Sequence, residues 1–440
     1  MKGYESLYKI DYLLIVVVTL LVVIGCLLIY SAGFDPIEKT NNGLYKRQIV
    51  WFVIGFIFMM VFAFVNYQQL GDYSHYIYIA LFILLCATLL GGSIRNIKAW
   101  LYFGTFSIQP AEFMKLGVVI FLAKILEVRE RDIKNFREIV LASLIFIIPV
   151  IVIFKQPDFG TAVLFIPILF TMLFVGGADV THLVSVILIA AIALIVPMAI
   201  TYSEWVGDES SSILFDFFKN TKLLLITSLT LLFITVVVFV LRYIYNVKKV
   251  LRRIYIPCGI LSFGLFGSII IQNFFKEYQK KRILVFLNPE LDPQASGYHI
   301  IQSKIAIGSG GFTGKGFLQG SQSQLGFLPE KSSDFIFSVA AEEWGFLGAI
   351  VLLLLLGFIL YKGVQTALEA KDKFGALLAS GITAIIFIHV MINAGMVIGI
   401  MPVTGLPLSF LSYGGSNLLM SMISMGILLN IRSKRHVYSR

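Results

Sequence analysis

Charge is scarce in this chain, and cysteine scarcer. Only 14% of its 440 residues are Asp, Glu, Lys or Arg, against 58% hydrophobic, and the mean hydropathy is +0.89. A soluble fold has no interior large enough to hide that much apolar surface, so the composition excludes one and implies a polytopic membrane protein. The three cysteines, Cys26, Cys86 and Cys258, all fall inside apolar runs and supply neither a disulfide framework nor a metal cluster. The five histidines, His75, His182, His299, His389 and His436, are scattered without ligand spacing. Zinc motifs and a Gly-x-Ser-x-Gly elbow are also missing, which argues against classical hydrolase chemistry. The net charge of +10 fits the basic cytoplasmic loops of membrane proteins, and no nucleic-acid partner is expected. The first apolar run, from about Tyr12, has no small-residue cleavage site after it and reads as a retained helix.

What the chain does have is long apolar runs. A spanning helix needs about 20 mainly apolar residues. Candidate spans lie near 12–32, 48–66, 73–91, 110–127, 138–154, 160–176, 181–203, 222–246, 254–272, 336–361, 375–399 and 413–431. The expected fold is therefore an all-α polytopic membrane protein. Lys and Arg placement orients it. With the N-terminus inside, the cytoplasmic segments carry Arg129, Arg131, Lys134 and Arg137, then Lys248, Lys249, Arg252 and Arg253. Lys362, Lys371 and Lys373 follow, then Arg432, Lys434, Arg435 and Arg440.

One stretch breaks this rhythm. From Phe275 to Glu343 glycines, prolines, lysines and carboxylates replace the apolar runs. A connection of that length is either functional or disordered, and its aromatic and β-branched content argues for order. It falls on the outer side, and its lysines there depart from the positive-inside bias. Within it, Asn288-Pro289-Glu290-Leu291-Asp292-Pro293 is a turn stiffened by two prolines. Asp292 is either an ordinary turn former or a carboxylate kept ionised by Lys280, Lys281 and Arg282, and so able to accept a proton. The glycine-rich run Gly308 to Gly316 fails the phosphate-loop pattern, because Ser309 and Gly316 stand where Gly and Ser or Thr are required. Its glycines are expected to turn the backbone sharply at the membrane surface.

Three other outer segments are interrupted too. Trp100 precedes Gln109-Pro110-Ala111-Glu112, and Lys115 lies a turn inside the span. Trp100 suits an interfacial belt. Glu112 and Lys115 are spaced to pair at i, i+3, yet ionisable groups inside a span also point to function. Gln156-Pro157-Asp158 opens the next helix, where Asp158 suits an N-cap. Pro402 to Pro407 and Ser412 to Ser416 break the chain before the last span, and broken backbone at that depth belongs where it lines a protein-buried or watery cavity.

These motifs resemble the SEDS family (shape, elongation, division and sporulation). The resemblance rests on Tyr278-Gln279-x-x-Arg282, Asn288 to Pro293, Gly297-Tyr298, Ile301-Gln302-Ser303, Gln322 to Glu330 and Asp334-Phe-Ile-Phe. It also rests on Gln109-Pro110-x-Glu112-x-x-Lys115, Gln156-Pro157-Asp158 and Pro402-x-Thr404-Gly405-x-Pro407. Gln322-Ser-Gln-Leu is closer to the elongation branch than to the division branch. The resemblance implies a peptidoglycan glycosyltransferase that polymerises lipid II on the outer face of the bacterial inner membrane, with both termini cytoplasmic. It implies Asp292 as the essential loop aspartate and Trp100 as the family's loop tryptophan. Lys115, Glu112, Lys281, Arg282, Gln302, Ser303, Glu330 and Asp158 are the expected substrate-binding residues. A divalent cation (Mg or Mn) is an open expectation. The implied partners are a class B penicillin-binding protein and other cell-elongation machinery. The competing function is a flippase or transporter of the lipid-linked precursor, suggested by charged residues in spans and broken helices.

Two departures from the family pattern stand out. Asn288 replaces an aspartate common there, and the chain has about 10 core spans plus an extra pair. The expected organisation is N-terminal helices over 1–203 with an outer loop at 92–109, and an inserted pair at 204–253. A helix at 254–272, a large ordered extracytoplasmic catalytic loop at 273–335, and C-terminal helices with a cytoplasmic tail at 336–440 complete it.

Overall fold

Apolar runs in a bilayer fold as helices because each backbone N–H and C=O must find its partner within the segment. In the computed structural model the chain is described over residues 10–36, 38–90, 99–104, 106–130, 133–206, 217–245, 248–274, 285 and 296–435. Its helices follow the apolar runs: α1 Tyr12–Ala32, α2 Leu44–Phe64, α3 Tyr67–Asp72, α4 Ser74–Ala87, α5 Pro110–Val128, α6 Phe136–Lys155 and α7 Phe159–Gly176. They continue as α8 Val180–Val206, α9 Thr221–Tyr245, α10 Lys248–Phe274, α11 Ser296–Gly310, the short α12 Ser321–Gln324, α13 Ile336–Leu368, α14 Lys373–Val397 and α15 Gly415–Ser433. Two small antiparallel hairpins interrupt them, β1–β2 (Phe34–Asp35 with Thr40–Asn41) and β3–β4 (Leu101–Phe103 with Phe106–Ile108).

Among the described residues nine helices are long and apolar enough to cross a membrane. Helix α4 is shorter, α5 carries Glu112, Lys115, Lys124 and Glu127, and α15 is rich in serine, asparagine and methionine. All of the expected spans are helical, with ends moved by a few residues. The largest shifts are at α13, which runs to Leu368, seven residues past the expected 361, and at α10, which begins six residues before the expected 254. Helix α2 begins four residues before the expected 48 because Gly43, at φ 74, turns the chain directly into it.

The chain divides into two compact units, Met1–Ala178 with Tyr298–Arg440, and Asp179–Gly297. In the second unit α10 packs against both α8 and α9. A Cβ at Gly264 would meet Ile192 at 2.8 Å, and one at Gly259 would meet Thr235 at 3.4 Å. Small residues on α10 thus let its neighbours approach closely. Ser228 and Ser262 each donate a hydroxyl to the other's carbonyl, at 3.0 and 2.8 Å, and tie α9 to α10.

In the first unit α14 and α15 form the core. Most of α14 is buried, and α15 is buried from Ser416 to Ser433. Helix α15 can be polar because it touches protein instead of lipid. Its Gly426 lies against the Met59 carbonyl, where a Cβ would stand 2.4 Å away. Asn430 donates to the Ala63 carbonyl (2.7 Å) and accepts from the Tyr67 N–H (3.1 Å), so one amide bridges the end of α2 and the start of α3. Near it, Asp11 caps α1 and accepts from Lys362 and from Arg432, each at 2.8 Å. Burial would raise the Asp11 carboxyl, but these two cations and the cap hold it below its ordinary value. We call this the tail end of the unit. The hairpins, Pro402–Gly414 and the start of α13 lie at the opposite, loop-rich end.

Helix α13 is broken near that end. Gly345 has φ 65 and ψ −165, which no L side chain adopts comfortably. The glycine run fills the break. Lys315 and Gly316 donate backbone N–H groups to the carbonyls of Glu342 and Glu343 (3.0 and 2.9 Å), while Phe346 and Leu347 donate to Gly311 and Phe312 (2.9 and 3.2 Å). A Cβ on Gly314 (φ 83) would stand 2.1 Å from the Glu343 carbonyl. The glycines expected to turn sharply at the surface therefore also permit main-chain pairing with an interrupted helix.

Gly314→Ala should lower the melting temperature in detergent well below that of Gly43→Ala. Gly43 is also left-handed but has nothing within 4 Å, so its alanine carries only the strain of about 1–2 kcal/mol. Equal shifts for the two variants would mean that the loop does not seat in the break.

Candidate functional site

Helix α5 starts on Pro110, whose missing N–H costs nothing at a first turn. That start places Glu112 in the first turn and Lys115 one turn deeper, both almost wholly buried. Lys115 Nζ donates to Glu112 Oε1 at 2.9 Å and lies 2.7 Å from His389 Nε2 on α14. His389 Nδ1 is 3.0 Å from the Pro407 carbonyl, which only accepts. Nδ1 therefore carries the ring proton, and Nε2 offers its lone pair to the lysine. A buried ammonium and carboxylate hold together only when such extra hydrogen bonds accompany the pair. Glu112 Oε2 is buried with no donor among the described residues.

Around this group the interrupted segments meet. Asp158 caps α7, accepting from the Thr161 N–H (3.1 Å) and hydroxyl (2.8 Å) and from Gln109 Nε2 (2.9 Å). Burial raises the Asp158 carboxyl above its ordinary value, against the pull of those Thr161 bonds, and Glu112 pushes the same way. The Gln109 backbone N–H donates to Ser416 Oγ of α15 at 2.9 Å. Gly160 abuts the Thr404 carbonyl so closely that a Cβ would stand 2.2 Å from it. Asn393 donates to the carbonyls of Asp334 (2.8 Å) and Leu406 (2.7 Å). Gln48 donates to the Ser412 carbonyl at 3.1 Å. Side chains of α2 (Gln48) and α14 (Asn393 and His389) thus take over backbone carbonyls left open where Pro402–Gly414 is not helical.

A second polar cluster sits at the break in α13. Glu342 accepts from Lys315 Nζ (2.9 Å) and from the backbone N–H groups of Gln322 (2.9 Å) and Ser323 (3.0 Å). Glu343 accepts from the Ser31 hydroxyl of α1. Both carboxylates are buried.

The expected site residues distribute as follows. Glu112, Lys115 and Asp158 converge at the head of α5 and α7. Both simple expectations, an ion pair and a cap, hold for them. Ser303 is fully buried and bridges Ser338 Oγ (2.8 Å) and the Val397 carbonyl (2.7 Å), so it joins α11, α13 and α14. Gln302 is half-buried on α11, and Trp100 is half-buried just ahead of β3. Glu330 is exposed at φ 43, and its carbonyl accepts from Asp334 N at 3.1 Å. Asp292, Lys281 and Arg282 lie outside the described residues. Among the described residues no group of three His, Cys, Asp or Glu side chains is placed to hold a metal, so those residues alone do not form a site for the divalent cation. The sequence reading left His389 among the scattered histidines and did not count Gln109, Lys315, Glu342 or Glu343 among the candidate site residues. The available signals were an ionisable residue inside a span and two adjacent glutamates at the head of another.

Known proteins share this architecture. A chain of a solved peptidoglycan synthase complex, in which polymerization and crosslinking are coordinated, superposes with a TM-score of 0.69 at 28% identity, over 97% of this chain and 99% of that one. The crystal structure of the Thermus thermophilus rod shape determining protein RodA has the same fold, with a TM-score of 0.60 at 24% identity over 97% and 98% of the two chains. In sequence the chain is 35% identical to the peptidoglycan glycosyltransferase RodA of Treponema pallidum over 97% of this chain and 98% of that protein. It is 32% identical to the stage V sporulation protein E of Bacillus subtilis, over 96% of each. It is likewise 32% identical to the peptidoglycan glycosyltransferase MrdB of Escherichia coli K12, over 100% and 98%. The sequence model of the FtsW/RodA/SpoVE cell cycle proteins matches residues 11–224 and 225–437, and with that coverage the chain belongs to the FtsW/RodA/SpoVE family.

Proposed function

We propose that this membrane protein is a peptidoglycan glycosyltransferase that polymerises lipid II during cell elongation. The observation that carries the reading is the buried Glu112–Lys115–His389 group, set among interrupted segments in a chain whose full-length relatives are named glycosyltransferases. Lysines and arginines supply the other support. Lys362, Lys371, Lys373, Arg432, Lys434 and Arg435 gather at the tail end, which supports a cytoplasmic tail end and an extracytoplasmic loop-rich end in the bacterial inner membrane.

Sugar transfer forms one C–O bond and breaks another. Asp292 takes the proton of the acceptor hydroxyl as the new bond forms, a contribution on the order of 10²–10⁴-fold. The departing diphosphate keeps the electron pair of the broken bond, and Lys281 and Arg282 balance its charge. Inversion at the sugar carbon follows from a single displacement. Trp100, Gln302 and Glu330 contact the head group. Lys115 is committed to Glu112 and His389, which together hold the head of α5 against α14. The loop 273–335 is then the catalytic region, and the pair at 204–253 is an insertion among the core spans. The likeness to a synthase complex supports a class B penicillin-binding protein as partner.

Asp292→Asn should abolish strand formation from labelled lipid II by purified protein with its transpeptidase partner, while melting like the wild type. Strands of normal length from that variant would move the chemistry elsewhere. Lipid translocation in protein-only vesicles, without strands from the wild type, would instead restore the flippase.

Lys115→Met strands a buried carboxylate and should destabilise the fold by about 3–5 kcal/mol. Adding Glu112→Gln should recover most of the melting temperature but not the polymerisation. Recovery of both in the double variant would reduce the pair to a packing element.

A further inference from the structure

The loop-rich end of the first unit holds a second concavity, an open cleft of about 470 Å³. One wall is the β1–β2 hairpin with Phe34, Asn41 and Asn42, and the other runs from Gln324 to Lys331. None of its residues belongs to the Lys115 group. Its floor is polar and incompletely bonded. Gln324 Nε2 donates to the Ser31 carbonyl (3.1 Å) and hydroxyl (3.3 Å), whereas Gln324 Oε1 is buried with no donor among the described residues. The bonds to Ser31 pin the Gln324 side chain in the floor and leave Oε1 closed off from the cleft.

Lys331 supplies the complementary charge. Its Nζ donates to the Ser323 carbonyl, which uses one of three N–H donors. Burial lowers its affinity for the proton, and Asp35 on the facing hairpin counters that loss. Behind the cleft Tyr30 stacks on Phe34 at 6.4 Å and on Phe317 at 6.5 Å between ring centres, so Phe34 presents a braced aromatic surface. A carboxylate suits Lys331, and the apolar face of a sugar ring suits Phe34. A saccharide carrying an acidic peptide has both.

We propose that this cleft is a second saccharide–peptide subsite, which holds a repeat of the growing strand on residues separate from the reacting groups. The proposal rests on the glycosyltransferase reading for the origin of its ligand. Gln324 connects it through Ser31 to Glu343 at the break in α13, so occupancy of the cleft bears on the segment that seats the catalytic loop.

The test is direct binding of lipid-free disaccharide–pentapeptide, as single and double repeats, to the purified full-length protein in detergent. Wild type should bind, and Lys331→Gln should weaken binding about tenfold, the scale of losing one charge-assisted hydrogen bond, while Lys331→Arg retains it. Asn42→Asp keeps the cap on Leu44 N, now 3.1 Å from Asn42 Oδ1, and adds a negative charge, so it should weaken binding of the acidic ligand without disturbing the fold. Asp292→Asn should bind like the wild type. Unchanged binding in both Lys331→Gln and Asn42→Asp, or no binding by the wild type, would overturn the subsite. Equal affinity of all proteins for a disaccharide lacking the peptide leaves the proposal intact only if the peptide-bearing form shows the tenfold loss; otherwise it too overturns it. Polymerisation of labelled lipid II, measured in parallel, separates the two readings. Wild-type strands without fragment binding defeat the subsite alone, and absent strands defeat the glycosyltransferase reading.

Discussion

Backbone that is not helical yet lies at the depth of the spans must be satisfied by protein, and the first unit is built around meeting that demand twice. At α13 the interruption at Gly345 is closed by main-chain bonds from the glycine run. At Pro402–Gly414 the open carbonyls are taken by Asn393, His389 and Gln48. An isolated helix end in hydrocarbon would leave these groups unbonded at several kcal/mol each. The breaks are therefore tolerable only together with the segments that fill them.

The same logic explains the buried charge. Lys115 and Glu112 would be expensive alone in an apolar span. Their cost falls because His389 accepts from the lysine and is itself oriented by the Pro407 carbonyl. The chain break at Pro407 is thus part of the support of the ion pair, and the ion pair lies next to the Asp158 cap and its Gln109 donor. A rigid arrangement of this kind costs little reorganisation when charge develops nearby.

At the tail end a different network closes the bundle. Asp11, Lys362 and Arg432 join α1, α13 and α15, and Asn430 fastens α2 to α3. Small residues set the spacing between, as at Gly426 against Met59 and Gly381 against Val119. In a bilayer, where helix association gains nothing from expelling water, close packing and interhelical hydrogen bonds of this type do the holding.

The apolar runs by themselves determined the place of the spanning helices, because the hydrocarbon thickness sets a minimum length for a span. They also determined that the polar interruptions would collect between particular helices, and Pro110 and Asp158 marked the starts of α5 and α7 through local capping alone. Even α5 and α15, too polar to meet a strict apolar criterion, were legible from their flanking signals. What the sequence could not decide was which polar residues meet. His389 lies far along the chain from Lys115, and Glu342 stands 27 residues from the Lys315 that it meets. Nothing local told whether the glycine run turned freely or paired with a broken helix. Those outcomes depend on contacts between residues distant in sequence, and only tertiary packing, by burying their polar atoms together, selects among them.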